Sequence, residues 1–92
     1  MPRALLADDD MFGREICRLR LEAAGFVISV ADGGLPALAD ARAHLPDLIV
    51  LDAHMPDMDG PDVCRALKAD PATAGVPVLL LTACPPDEAE AL

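Results

Sequence analysis

The stretch that most constrains this chain is Asp47-Leu48-Ile49-Val50-Leu51-Asp52, followed by Ala53-His54-Met55-Pro56-Asp57-Met58-Asp59-Gly60. A run of β-branched and leucine residues without polar alternation predicts a strand buried on both faces. Such strands belong to parallel sheets covered by helices on both sides. The run stops at Asp52, and a carboxylate at the C-terminal end of a central parallel strand opens into the crevice where doubly wound sheets place their ligands. An Asp after a strand also serves as a turn former that bonds its own backbone. Taken alone, Asp52 fits a site and a turn about equally well.

The start of the chain repeats the pattern. Ala4 to Ala7 is a short apolar run that ends abruptly at Asp8-Asp9-Asp10, which predicts a second buried strand delivering acids to its end. Adjacent carboxylates raise one another's pKa unless a cation sits among them, and an oxygen-seeking ion such as Mg²⁺ would resolve the conflict. Acids in this place also cap a following helix. Asp10 is assigned that role, whereas Asp8 and Asp9 go to the site because a second strand also ends in Asp.

Further along, strands and helices alternate. A helix is expected from Met11 to Ala24, closed by Gly25 in a left-handed position. Its buried face is undecided between the stripe Phe12, Ile16, Leu19, Ala23 and the stripe Ile16, Cys17, Leu21, Ala24. Phe26 to Val30 reads as a strand ending at the Asp32-Gly33-Gly34 turn. A helix from Leu35 to His44 tolerates Pro36 in its first turn and is closed by Pro46. His44 has no acidic or cysteine partner at ligand spacing and is expected as an exposed residue of the last turn. Asp57 and Asp59 read as turn formers ahead of a helix from Pro61 to Ala69. Val76 to Leu81 is a fourth strand, ending at Thr82; Ala83 to Pro86 form a loop, and Asp87 to Leu92 begin a fourth helix. This alternation implies right-handed crossovers and an α/β fold with a doubly wound parallel sheet.

Composition excludes some classes of function. Sixteen acids against seven bases give a formal net charge of -9, which repels phosphate backbones. Phe12 and Phe26 are the only aromatic residues, so no platform exists for stacking bases. Direct nucleic-acid binding by this segment is therefore not expected. Cys17, Cys64 and Cys84 lack metal-ligand spacing and read as reduced thiols of a cytoplasmic protein. No apolar run approaches membrane-spanning length, and the N-terminus reaches acids too soon for a signal peptide.

Three blocks together resemble the receiver domain of two-component response regulators. They are Leu5-Leu6-Ala7-Asp8-Asp9-Asp10, then Asp47 to Asp52 with Met55-Pro56 and Met58-Asp59-Gly60, then Pro77-Val78-Leu79-Leu80-Leu81-Thr82-Ala83. The resemblance covers essentially the whole chain and implies a flavodoxin-like sheet of order 2-1-3-4. By the same resemblance, Asp52 is the acceptor of a phosphoryl group from a sensor histidine kinase or phosphotransfer protein. Asp8 and Asp9 are the acids that hold Mg²⁺ with Asp52, and the backbone carbonyl of His54 completes the protein ligands. Thr82 is the switch hydroxyl, and the backbone N–H of Ala83 is a neighbouring donor to the phosphoryl group. The side chains of His54 and Cys84 stand where the family tunes acyl-phosphate lifetime. An output domain beyond the C-terminus is a further expectation.

The sequence also departs from the family's pattern. Receiver domains carry a lysine at the end of a fifth strand, followed by a fifth helix, whereas the only lysine here is Lys68 on the third helix. The family's switch aromatic on that strand has no counterpart either. Residues 1–92 are accordingly expected to be a receiver domain incomplete at its C-terminus, with the fifth strand and helix absent. The strand 76–81 then becomes an apolar edge open to self-association. Two other readings compete. A receiver-like interaction module would work without phosphorylation. A phosphatase of the haloacid-dehalogenase type would use Asp8 and Asp10, but its motif fails at Phe12.

Overall fold

The computed structural model describes residues 1–81 of the chain. Seven elements alternate along them: β1 (Arg3–Ala7), α1 (Met11–Ala23), β2 (Val27–Ala31), α2 (Gly34–His44), β3 (Leu48–Asp52), α3 (Gly60–Ala69) and β4 (Val78–Leu81). The strands form one parallel sheet in the order β2-β1-β3-β4. This is the flavodoxin-like arrangement, in which strand order reverses beside β1 and opens a crevice at the strand C-termini. The expected Thr82, Ala83 and Cys84 positions and the helix from Asp87 lie outside the described residues.

Alternation along the strands sorts side chains onto two faces. Leu5, Ala7, Ile49 and Leu51 are buried against Ala37, Leu38 and Ala41 of α2 and Val63 and Leu67 of α3, with Val78 and Leu80 packed at the margin. Alanine at positions 37 and 41 lets α2 lie close to the sheet. Leu6 and Val50 face the other way and are also buried; α1 runs over this side. The C-terminal end of α3 is closed from within. Buried Thr73 donates its hydroxyl to the Leu67 carbonyl at 2.7 Å, a last-turn carbonyl that also accepts the Asp70 N–H at 3.3 Å.

Several boundaries differ from the sequence expectation for identifiable reasons. The fourth strand starts at Val78 rather than Val76, because the Val76 N–H is bonded to Thr73 in the preceding turn and the Val76 carbonyl is taken by Lys68 at 2.8 Å. Pro77 has no N–H to give the ladder. The second strand is Val27–Ala31, one residue later than expected. Helix α1 ends at Ala23, with Ala24 as its cap and Gly25 left-handed at φ 100°. His44 does have an acidic partner: its Nδ1 lies 2.8 Å from Asp40 one turn earlier, the ordinary i, i+4 neighbour of a helix.

Of the two apolar stripes proposed for α1, the first is exposed throughout, and the second is half right: its Cys17 and Leu21 face the sheet, while its Ile16 and Ala24 are exposed. Phe12, Ile16 and Leu19 are all exposed, while Gly13, Arg14, Cys17, Arg18 and Leu21 are half-buried. Hydrophobic spacing offered both rows and could not choose between them. The side of the helix that meets the sheet is set by its contact with β1 and β2, with the first turn passing close to the strand-end acids.

Candidate functional site

Register brings the acids together. β1 pairs with β3 so that Ala7 lies beside Leu51, and the next residue of each strand is an Asp. One carboxylate oxygen from each of Asp8, Asp9 and Asp52 lies within 4.8 Å of the others. Asp8 is buried, Asp52 half-buried and Asp9 exposed, so the cluster reaches from the core to solvent. Asp10 stands apart. It caps α1, accepting bonds from the Phe12 and Gly13 N–H groups at 3.3 Å each, as its place before the helix implied.

The local chain is shaped around these carboxylates. Asp8 donates its N–H to Ala31 at 3.1 Å and accepts the Asp10 N–H on its carboxylate at 2.9 Å, which bends the chain out of β1. A side chain at Gly13 would place its Cβ 3.0 Å from Asp8 Oδ2 and 3.2 Å from Asp10 Oδ2. Glycine, a poor helix former, therefore stands inside α1 because the first turn passes close to the acids.

The electrostatics are those of an under-compensated anionic cluster. Burial raises the Asp52 pKa above the ordinary carboxylate value, and the Asp8 carboxylate raises it further. The His54 backbone N–H pulls the opposite way, and Asp9 adds a smaller upward push. The half-buried Cys17 thiol is also pushed up, first by desolvation and then by Asp8. It thus remains a thiol, and the cluster's negative field reaches the inner side of α1. Among the described residues no ion pair includes Asp8, Asp9 or Asp52. The Arg14 guanidinium donates to the Asp8 backbone carbonyl at 3.3 Å, not to a carboxylate of the cluster. Three carboxylates from two strand ends, without a side-chain cation among them, are a donor set suited to a hard divalent ion.

The β3–α3 loop borders the cluster. The Ala53 N–H donates to the Leu81 carbonyl at 2.8 Å, and the Gly60 N–H donates to the Ala53 carbonyl at 3.0 Å, so the loop closes on itself at the strand end. Met55 is buried under it and His54 is exposed. Leu81 lies beside Asp52 in the register of β3 and β4. Lys68 is remote from the acids, its Nζ donating to the Ala74 and Val76 carbonyls ahead of β4. Asp57 does more than form a turn. It accepts the N–H groups of Gly34 and Leu35 at 2.9 Å each and so caps α2 from another element. One signal in the sequence pointed there: Gly33 precedes α2 and has no side chain to cap it. Asp59, at the start of α3, makes no side-chain cap bond.

A parallel doubly wound sheet with a carboxylate cluster at its central strand ends defines a class of acid-site α/β domains. Within that class the chain belongs to the response regulator receiver domain family, whose model matches residues 4–91. It is similar to the DNA-binding dual master transcriptional regulator RpaA of Synechocystis, with 43% identity over 90% of this chain and 34% of that protein. The response regulator PleD of Caulobacter vibrioides is 46% identical over 88% of this chain and 18% of its own length. The chain thus spans about a third or less of these relatives. Among solved structures, the N-terminal domain of a response regulator receiver protein from Methanoculleus marisnigri matches with a TM-score of 0.86 and 36% identity, over 99% of this chain and 76% of that one. The chemotaxis response regulator CheY4 of Vibrio cholerae matches with a TM-score of 0.86 and 30% identity, over 99% and 76%. This is the family that the three sequence blocks pointed to, and it displaces the haloacid-dehalogenase reading. Receiver domains are regulatory, signalling through phosphorylation. No helix among the described residues is long and apolar enough to cross a membrane.

Proposed function

We propose that Asp52 is the phosphoacceptor of this receiver domain, taking a phosphoryl group from the phosphohistidine of a sensor histidine kinase or phosphotransfer protein in the cytoplasm. A carboxylate oxygen of Asp52 attacks phosphorus, the P–N bond to the imidazole breaks, and an acyl phosphate forms. The observation that carries the reading is the convergence of Asp8, Asp9 and Asp52 within 4.8 Å, with burial and Asp8 together raising the Asp52 pKa. Asp8, Asp9, Asp52 and the His54 backbone carbonyl would hold Mg²⁺. When bound, that ion would supply charge neutralisation for the equatorial phosphoryl oxygens. Thr82 and the Ala83 N–H, next in sequence after the strand that pairs with β3, are proposed as the groups that sense the phosphoryl group.

The exposed Met11, Phe12 and Ile16, at the start of α1 beside the acids, suit an apolar contact with the phosphodonor. DNA binding, which the name of RpaA describes for that protein, is proposed to belong to an output domain. The net charge of -9 argues against it in this segment. Self-association through β4 is also proposed, because β4 has no further strand partner among the described residues and carries no charge.

Incubation with acetyl phosphate and Mg²⁺, followed by intact-mass measurement, tests the assignment. A single phosphoryl adduct is expected, absent from Asp52→Ala and from samples containing EDTA. An adduct that survives either change overturns it.

A further inference from the structure

We propose that Asp57 is a positioning residue for the metal site: by clamping the β3–α3 loop to the first turn of α2, it holds the loop segment that carries His54. The proposal deepens the reading that Asp8, Asp9 and Asp52 bind Mg²⁺ with the His54 carbonyl, and rests on it.

Asp57 is exposed, yet both of its carboxylate oxygens are committed to one helix, accepting the Gly34 and Leu35 N–H groups at 2.9 Å. These bonds hold its pKa below the ordinary carboxylate value, Leu35 contributing most and Gly34 next. Gly33, the α2 cap residue, provides no cap of its own. The fit between the two segments is tight. A Cβ at Gly33 would fall 2.9 Å from both Asp57 carboxylate oxygens, and one at Gly34 would fall 2.7 Å from the Met58 carbonyl. Two successive glycines are thus what lets the loop and the helix touch.

The rest of the loop is held differently. Its two ends are joined by the Gly60 to Ala53 bond and tied to β4 by the Ala53 to Leu81 bond, and Met55 anchors its inner side by burial. The outer half has its hydrogen bonds to another element through Asp57. His54 lies between the buried Met55 anchor and the pinned Ala53. The Ala53 bonds fix one side of His54; the other side is held by the burial of Met55 together with the Asp57 clamp two residues further on. Groups that orient a metal's ligands from outside contribute as ligands do, and their loss typically weakens binding by about 10-fold or more. A residue whose only role was to cap α2 would change the melting temperature and leave Mg²⁺ affinity alone.

Isothermal titration of Mg²⁺ into the unaltered chain and its variants tests this, with circular dichroism reporting the fold. Asp57→Ala is expected to weaken Mg²⁺ binding by about 10-fold. Asp59→Ala removes the same charge from the same loop without breaking a cap bond, and is expected to leave affinity within about twofold. Gly33→Ala keeps every charge. Its φ of -172° suits alanine, but the new Cβ displaces the Asp57 carboxylate, so affinity should fall here too and should not fall further when Gly33→Ala is added to Asp57→Ala. Equal losses for Asp57→Ala and Asp59→Ala would reduce the effect to long-range charge and overturn the proposal, as would unchanged affinity in Asp57→Ala. Those results leave the acid-site reading standing, since the unaltered chain binds Mg²⁺ in both. Failure of the unaltered chain to bind Mg²⁺ would overturn the two together.

Discussion

The two faces of the sheet are built to different standards. On one, α2 and α3 close over Leu5, Ile49 and Leu51, and Val63 and Leu67 are completely buried. On the other, α1 has no buried residue, and Phe12 is 80% exposed. Beside α1 a groove of about 190 Å³ is lined by Cys17, Leu21, Val50, Leu79 and Leu81. Both faces support the same acid cluster at the strand ends. Stability and site access are divided between them: the α2–α3 face packs β1 and β3 and so fixes the strand ends that carry Asp8, Asp9 and Asp52, while α1 brings an exposed apolar surface to the same rim. Elements that meet partners are commonly drawn from the less tightly packed part of a fold.

The largest effect expected from this division is a difference in core mutations. Leu67→Ala should destabilise the domain by about 3 kcal/mol through lost burial and the cavity left behind. Leu19→Ala, the same deletion on exposed α1, should change stability by no more than about 0.5 kcal/mol. Urea denaturation of both variants measures the contrast, and similar losses would show that α1 packs as tightly as α3.

A smaller effect is expected at the acids that join the faces. Asp52 is protonated more readily in the folded chain than at its ordinary value of 3.8. Its effect is therefore absent below that pH and becomes a loss of stability as pH rises through the folded pKa. Metal-free Asp52→Asn should consequently gain in melting temperature over the unaltered chain between acid and neutral pH, and Mg²⁺ should narrow the gap. A gap independent of pH would mean that the asparagine acts by packing and not by charge.

The smallest expected change in the folded chain is at the sheet margin. Leu79 is 53% exposed on the α1 side of β4, and a lysine there should discourage pairing through that strand while costing the fold no more than about 0.5 kcal/mol. Sedimentation velocity over a concentration series should show the 92-residue chain associating and Leu79→Lys remaining monomeric. A monomer at every concentration for the unaltered chain would remove the self-association proposal.

The elements were legible in the sequence because each is a local pattern. Apolar runs cut off by acids announced β1 and β3, Gly25 and Pro46 marked helix ends, and Asp10 read correctly as a cap. The strand order could be named only through the family resemblance, and the convergence of Asp8 with Asp52 was an inference from two runs ending alike. Periodicity left α1 undecided. Its tightest apolar stripe is a surface row, and the half-buried side, with Cys17 and Leu21, is fixed by contact with β1 and β2.

By itself, then, the chain's order of residues determined where strands stop and that they stop on carboxylates, since hydrophobic runs and turn residues act over a few neighbours. Only the tertiary structure decided that Asp57 leaves its own turn to cap α2, because residues 34 and 57 meet through the packing of two helices on one face. It also decided that Gly13 is needed by Asp8, and that Lys68 is spent on the carbonyls before β4. Each of these contacts is set by the distance between elements, which register and core packing establish and local sequence does not encode.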